Sequence, residues 1–556
     1  MSELLTNTST IDAIELHVRT YRSALKSTLE VTINSLINTH LKMHSILHPD
    51  GSNSEKIDAS SLSYCLLRLP VSIDKTQRVI MGQNLDIFTQ AGFKDLNSWP
   101  KVKATARRRT THFHSTQKIL AYFIASISDI DDLINILIAY QIEWNKFHQL
   151  LNLQYQNYSS LEKDLDSSEF TKKLNLKPIQ WQNIKTALGK NWQLRLKTIY
   201  KNEANLRVQL LAGSWVNYTK STQRWWKNIA SSLSPKLHIS HQQIYFVSSN
   251  KHSLLNIYTG FALRHQKEIL SLFQKDHPEI NPSKLLDIKD LAYFAFKYYL
   301  ENENLKKLFT KYQQDLGIIS IPNSNYLDID VQIFPIKSLV NSKFLDPRLK
   351  ITRPQKIKES KALILNIDYP LGFAAYQILS EVMENVEKIK GVYILGKAAV
   401  LNGEIGDIVI PRLVFDEHTQ NSYIFKNCFN SFFPFINNQG SILTNQKSVS
   451  TLGTFLENKA LINTYSKNDL TIIEMESGPY LSAVTEASYD QQAPKSTVID
   501  LNNAPFDLGI INYTSDTPFS SLQNLGGSDL GINGIEPVTL GSLAILQRII
   551  NLEEEK

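Results

Sequence analysis

Cysteine is nearly absent from this chain. Cys65 and Cys428 are the only two in 556 residues, which excludes a disulfide scaffold, leaves no Cys cluster for zinc and fits a reducing compartment. Long apolar runs are missing as well: no stretch approaches the roughly 20 residues that a membrane helix needs. The N-terminus, MSELLTNTSTIDAIE, carries early acids where a signal peptide would have its apolar core. A cytoplasmic protein without a membrane partner is therefore expected. Extremes of composition are also lacking. Hydrophobic residues make up 42% and charged residues 20%, which excludes a disordered chain and leaves room for two or more domains with full cores.

Scarcity is unevenly distributed. Residues 361–556 contain 14 of the 21 glycines and no Trp, whereas all seven Trp lie between Trp99 and Trp226. The same 196 residues hold 12 Lys and Arg against 22 Asp and Glu, a net of −10, which leaves a net of +16 in residues 1–360. The expected architecture is an α/β C-terminal domain, a mixed sheet flanked by helices, preceded by a large and mostly α-helical domain. Its parts are a basic helical domain over 1–340 with a small αβ element near 243–273, a Lys-, Arg- and Pro-rich linker over 341–360, and an acidic domain over 361–556.

In the first part, residues 1 to about 48 and 77–93 read as helical. Lys118–Ile127 reads as a further apolar helix, and Ser128 with Asp131 as the start of the next, along which Leu133, Leu137, Tyr140, Trp144, Phe147 and Leu151 recur every three or four residues. Lys101–Arg109, KVKATARRR, makes a strong local positive field whose ordinary use is a solvated face or pairing with nearby acids. His112 and His114 have no further ligands close by in sequence, and no metal is expected. Trp residues interleaved with Arg195, Lys197, Lys220, Arg224 and Lys227 read first as core; base stacking keeps nucleic acid as a minor alternative partner. Gln243–Val247 reads as a strand that feeds the loop 248–253. That loop lacks glycine and is not a P-loop, although backbone N–H groups at a following helix start can meet an anion.

The C-terminal part carries the chemistry. Gly391–Pro411, GVYILGKAAVLNGEIGDIVIP, reads as a strand (392–395), a tight turn at Gly396–Ala399, a loop, and a second strand (408–410). Further on, TIIEMES (471–477) ends an apolar run in two carboxylates around Met475, and LGIINYTSDTP (508–518) ends another in Ser515-Asp516. Apolar strands that deliver polar residues at their C-terminal ends are how an open α/β sheet builds a ligand crevice.

Taken in order, these stretches resemble the nucleoside phosphorylase and nucleosidase superfamily, with its glycine turn, Gly-Asp strand, Glu-Met-Glu and Ser-Asp, over about residues 361 to 550. The resemblance implies cleavage of a nucleoside's N-glycosidic bond by phosphate or water. It makes Asp516 the acid for the departing base, with Ser515 beside it, Glu476 the anchor of the ribose hydroxyls and Met475 the contact with the sugar. Glu474, Gly396, Ala398 and Asp368 join the expected substrate-binding set. Lys397 stands where many relatives have Ser or Thr, which suggests a phosphate, free or on the substrate. No cofactor is expected beyond inorganic phosphate as a co-substrate, and a homo-oligomer is expected. The alternative is a non-catalytic nucleotide sensor that uses the same pocket. The basic domain in front resembles the layout of AMP nucleosidases only in being a gating or regulatory domain before a catalytic one.

Overall fold

The computed structural model describes the chain except residues 1–7, 28, 107–108, 166, 234–236, 277–289, 301, 323–326, 432, 439, 490–493, 519–533 and 556. Arg107 and Arg108 of the basic run thus lie outside the described residues, as does Asn323-Ser324-Asn325, a composition that reads as a turn.

Two sheets organise the molecule. The first contains β1 (Val31–Thr32), β2 (Arg78–Gly82), β3 (Lys101–Val102), β4 (Thr111–His114), β5 (Ile119–Phe123) and β6 (Arg207–Leu210), in the order β1-β6-β2-β5-β4-β3. Here the helical expectation is corrected in part: β2 takes residues 78–82 of 77–93, whose second half does hold the helix Leu85–Gln90, and β5 takes residues 119–123 of 118–127. RVIMG and ILAYF are short apolar runs that are almost wholly buried, and in such runs periodicity cannot separate strand from helix. The helix that follows β5, Ile127–Gln154, starts two residues before the expected point. Ser126 is its N-cap, and Asp129 returns a carboxylate oxygen to the N–H groups of Ala125 (2.8 Å) and Ser126 (3.3 Å).

The second sheet contains β7 (Gln243–Ser248), β8 (Ile319–Ile321), β9 (Val331–Pro335), β10 (Leu363–Ile367), β11 (Lys388–Val400), β12 (Ile408–Asp416), β13 (Asn421–Ile424), β14 (Ile442–Ser450), β15 (Ile472–Glu474), β16 (Val498–Asp500) and β17 (Asp507–Asp516). Its order is β16-β13-β12-β14-β15-β11-β7-β10-β9-β8, and β17 bridges β11 and β12. The strands β11, β17, β12, β14 and β15 therefore close into a ring, a small barrel that removes their free edges. Ala398, Val409 and Ile472 form a separate buried cluster within these strands. Closure depends on β11, whose 13 residues pair with β7 and β17 early and with β15 at Ala399–Val400, across a register shift at Ala398/Ala399. The turn expected at Gly396–Ala399 is instead this curling strand.

Helices cover both faces of the sheet. Ala374–Asn385 and Ser477–Tyr489 pack on one face together with Trp225 and Trp226, and Ser253–Thr259, Leu291–Tyr299 and Ile535–Glu554 pack on the other.

The domain boundary expected at 341–360 does not separate two bodies. β10 lies parallel to β7 and antiparallel to β9, and β7 is also parallel to β11, so strands from before residue 341 sit inside the sheet of residues 361–556. Surface charge, which suggested the boundary, carries no information about strand pairing. The segment itself is held down: the N–H groups of Thr352 and Arg353 both donate to Glu554 Oε1 at 2.6 Å. The loop after β14 also enters the first body, where Phe455 and Leu456 join its core and Ile46 N–H donates to Glu457 O at 2.8 Å.

That first body contains a buried polar chain that its sequence did not announce. Thr39 Oγ1 contacts His17 Nδ1 (2.8 Å), His17 Nε2 and His40 Nδ1 meet Asn135 Oδ1 (2.9 and 3.3 Å), His40 Nε2 contacts His48 Nδ1 (3.1 Å), and His48 Nε2 contacts Glu143 Oε1 (2.8 Å). Each buried ring nitrogen thereby has a partner, which offsets the cost of its desolvation. Among the described residues, no helix is long and apolar enough to cross a membrane.

Because β7 fills the place between β10 and β11, residues 361–556 expressed alone leave two strands unpaired along that line. We expect this fragment to show no cooperative thermal transition by circular dichroism, whereas the full chain does; a cooperative transition in the fragment would refute the shared sheet.

Candidate functional site

The strands β7, β10, β11 and β17 run parallel to one another as neighbours. Their C-terminal ends deliver Asn250–Ser253, Asp368–Leu371, Lys397–Ala399 and Ser515–Pro518 to one cavity of about 1570 Å³, and β15 adds Glu474–Glu476. The opposite wall comes from the first part of the chain, with Arg68 at the end of the helix Ala59–Arg68 and the segment Lys101–Ala106. The carboxyl ends of parallel strands leave loops free to converge, which is why such crevices hold ligands.

All but one of the predicted site residues line this cavity: Asp516, Ser515, Glu476, Met475, Glu474, Lys397, Ala398 and Asp368. Gly396, expected in the substrate-binding set, is the exception. It is buried within β11, where a Cβ would lie 2.6 Å from Asn512 Oδ1, so the missing side chain makes room for a neighbouring strand.

Asp516 closes β17 and is 4% exposed. Burial pushes its carboxyl above the usual carboxylate range, against the charges of Lys397 and Arg68 and the Ser515 hydroxyl, which donates at 3.0 Å. Glu474 is buried too, and its oxygens serve the protein. Oε2 accepts from the N–H groups of Glu476 (2.8 Å) and Ser477 (2.7 Å), Oε1 from the Ser450 hydroxyl, so Glu474 caps the helix Ser477–Tyr489. Burial nevertheless raises its pKa. Glu476 is half-buried and accepts from Gly372 N–H at 3.3 Å. Gly372 has φ +51, and a Cβ there would lie 2.4 Å from Ser128 Oγ, so glycine alone fits between the two parts of the chain. The next residue, Phe373, donates its N–H to that same Ser128 oxygen at 2.9 Å. Asp368 is half-buried and accepts from Tyr369 N–H at 3.2 Å. Lys397 is exposed on the cavity wall.

Other residues read from the sequence have structural duties. Arg109 is held by Asp129 and Asp132, each at 2.7 Å, and Asp131 by Tyr21 and Arg22, which assigns the acids at the start of Ile127–Gln154 to pairing. His112 Nδ1–H donates to Trp99 O at 2.9 Å. Among the described residues, no group of three or more His, Cys, Asp or Glu could hold a metal ion.

Two cavity residues escaped the sequence reading. Arg68 is 8% exposed, stacks over the Tyr64 ring at 3.5 Å and donates to Tyr64 O, a placement that no local pattern announces. Glu457 is 4% exposed and electrostatically coupled to Glu417. Burial raises Glu417 as well, against the hydrogen bonds it accepts from the Tyr465 hydroxyl and from Leu452 N–H (2.9 Å). Burial and then the Glu417 charge push the Glu457 carboxyl well above the usual carboxylate range.

The fold and cavity define an α/β protein with a strand-end crevice walled by an N-terminal α/β body. A family model described as "Family of unknown function (DUF6909)" matches residues 33–551, and the chain belongs to that family. No curated protein matches it. Among solved structures, it is similar to an S-adenosylhomocysteine nucleosidase from Streptococcus pyogenes, at 11% identity and TM-score 0.29, over 57% of this chain and 98% of that one. It is also similar to the 5′-methylthioadenosine nucleosidase of Arabidopsis thaliana (9% identity, TM-score 0.30, 56% and 96%) and to a uridine phosphorylase from Schistosoma mansoni (10%, 0.30, 55% and 87%).

The protonated Glu457 yields a stability test. Its native pKa lies above its unfolded value near 4.5, so the native state keeps a proton that the unfolded state gives up, and stability falls as pH rises from there. Glu457→Gln should match the wild type at about pH 4, where both states are protonated, and exceed it by about 1–3 kcal/mol at neutral pH. Urea unfolding at both pH values checks this; an equal difference at the two pH values would show that Glu457 is ionised in the native protein.

Proposed function

We propose that this protein cleaves the N-glycosidic bond of a nucleoside or nucleotide, with water or inorganic phosphate as nucleophile. The observation that carries the reading is Asp516, a buried carboxyl biased toward its neutral form, in a strand-end crevice that also holds Glu476. When the bond from the sugar carbon to the base breaks, its electron pair leaves with the base and positive charge develops on the sugar. A neutral Asp516 supplies the proton that a ring nitrogen of the departing base takes up. Glu476 accepts hydrogen bonds from the sugar hydroxyls and fixes the ring, and Met475, which is largely buried beside it, offers an apolar contact. Phosphate then adds to the sugar carbon, or water adds and gives up a proton that restores the neutral Asp516 carboxyl. Lys397, close enough to act on Asp516, supplies positive charge for an attacking or attached phosphate.

The sequence resemblance supports the same assignment, since Glu-Met-Glu and Ser-Asp lie far apart in the chain and meet in one cavity. Incubation with a panel of nucleosides and nucleotides, with and without phosphate, should release free base. Asp516→Asn keeps the shape and removes the proton, so base release should fall by about a hundredfold or more while ligand binding survives. Glu476→Ala should lose both. If the wild type binds members of the panel and releases base from none, the protein is a nucleotide-binding module and the catalytic reading fails.

A further inference from the structure

The cavity is larger than its proposed reaction requires. Pockets for small ligands span roughly 300–1,000 Å³, whereas this one measures about 1570 Å³. From Asp516 the wall continues through Tyr513 to Tyr369, whose hydroxyl sits by Tyr513 and Asn250, and on to the loop after β7. There Lys251 pairs with Asp330 at 2.7 Å, and Asn256 Nδ2 reaches Tyr293 O at 3.1 Å, which seats the helix Leu291–Tyr299 on the cavity rim. That helix presents Phe294, half-buried, with Lys297 Nζ 3.9 Å from its ring centroid. The same cavity is lined by Lys101 and Lys103, exposed on the segment that Ala106 N–H ties to Leu67 O at 2.8 Å.

From this placement we infer that the cavity has a second arm for a phosphate-linked planar group, so that the substrate class is a dinucleotide rather than a free nucleoside. Lysines on two sides suit a phosphate bridge between nucleosides, as strongly hydrated point charges that meet its oxygens. A ring that carries the Lys297 ammonium over one face suits a second base stacked on its other face. Volume, charge and aromatic surface thus line the one cavity that also holds Asp516. The inference rests on the N-glycosidic reading of the inner site.

Its test separates the two. Binding is measured on full-length Asp516→Asn protein, with a nucleoside, its 5′-monophosphate and a dinucleotide that carries the same base. The dinucleotide should bind about tenfold more tightly than the monophosphate, and the monophosphate about tenfold more tightly than the nucleoside. Phe294→Ala should erase only the first step, and Lys103→Ala, a surface change that leaves the core intact, should weaken both phosphorylated ligands; nucleoside affinity should hold in each. Equal affinity for nucleoside and dinucleotide would overturn the second arm, as would a monophosphate that matches the dinucleotide or variants that weaken all three ligands alike. Base release by the wild type is read separately. Release from nucleosides without the affinity steps would leave the proposed reaction standing and remove this inference, and the affinity steps without release would do the reverse.

Discussion

The structure depends on one strand being hydrogen-bonded on both sides. β7 lies between β10 and β11, each of which comes more than a hundred residues later, and runs parallel to both. A buried strand cannot leave N–H and C=O groups unmet, because each would cost free energy comparable to a lost hydrogen bond. Removing β7 would therefore expose β10 and β11 together. Parallel pairing also requires a crossover, and the connections from β7 to β10 and β11 supply the covering helices Ser253–Thr259, Leu291–Tyr299 and Ala374–Asn385. Through this strand, the basic first part and the acidic last part become one folding unit.

The cavity follows from the same arrangement. Neighbouring parallel strands end on one side, and their loops carry the polar residues that a buried strand cannot hold. The first part of the chain then roofs the crevice: Ser128 clamps Phe373 beside Gly372, and Phe455 reaches back into the opposite core. Roofing excludes water, and water exclusion sets the protonation of the carboxyls. Asp516, Glu474 and Glu457 are all raised chiefly by burial. At Asp516 that bias prevails over the opposing charges of Lys397 and Arg68, which leaves a carboxyl biased toward its neutral form in the cavity.

The charge asymmetry has a structural use that its size conceals. Arg22, Arg109, Arg195 and Arg348 in the basic part are each held by carboxylates of that same part, at Asp131, Asp129 and Asp132, Asp74, and Asp290 and Asp346. These cations hold the body together. The cavity wall carries Arg68 together with lysines such as Lys103 and Lys397, whose flexible stems can follow an incoming anion.

What the sequence by itself determined was local. Apolar runs ending in Glu-Met-Glu and Ser-Asp identified strands β15 and β17 and their polar ends, because a strand's C-terminal residues sit next to it in the chain. The same locality failed for RVIMG and ILAYF, short buried runs in which the neighbours across the sheet, and not periodicity, decide between strand and helix. It failed again at Gly396, whose glycine is required by Asn512 on another strand. Only the tertiary structure decided that β7 joins the later sheet, that Glu474 caps a helix while Glu476 remains beside the cavity, and that Arg68 and Glu457 stand in its wall. Each of these depends on contact between residues far apart in the chain, and such contacts are selected by hydrogen-bond satisfaction and burial across the whole molecule, which no window of sequence contains.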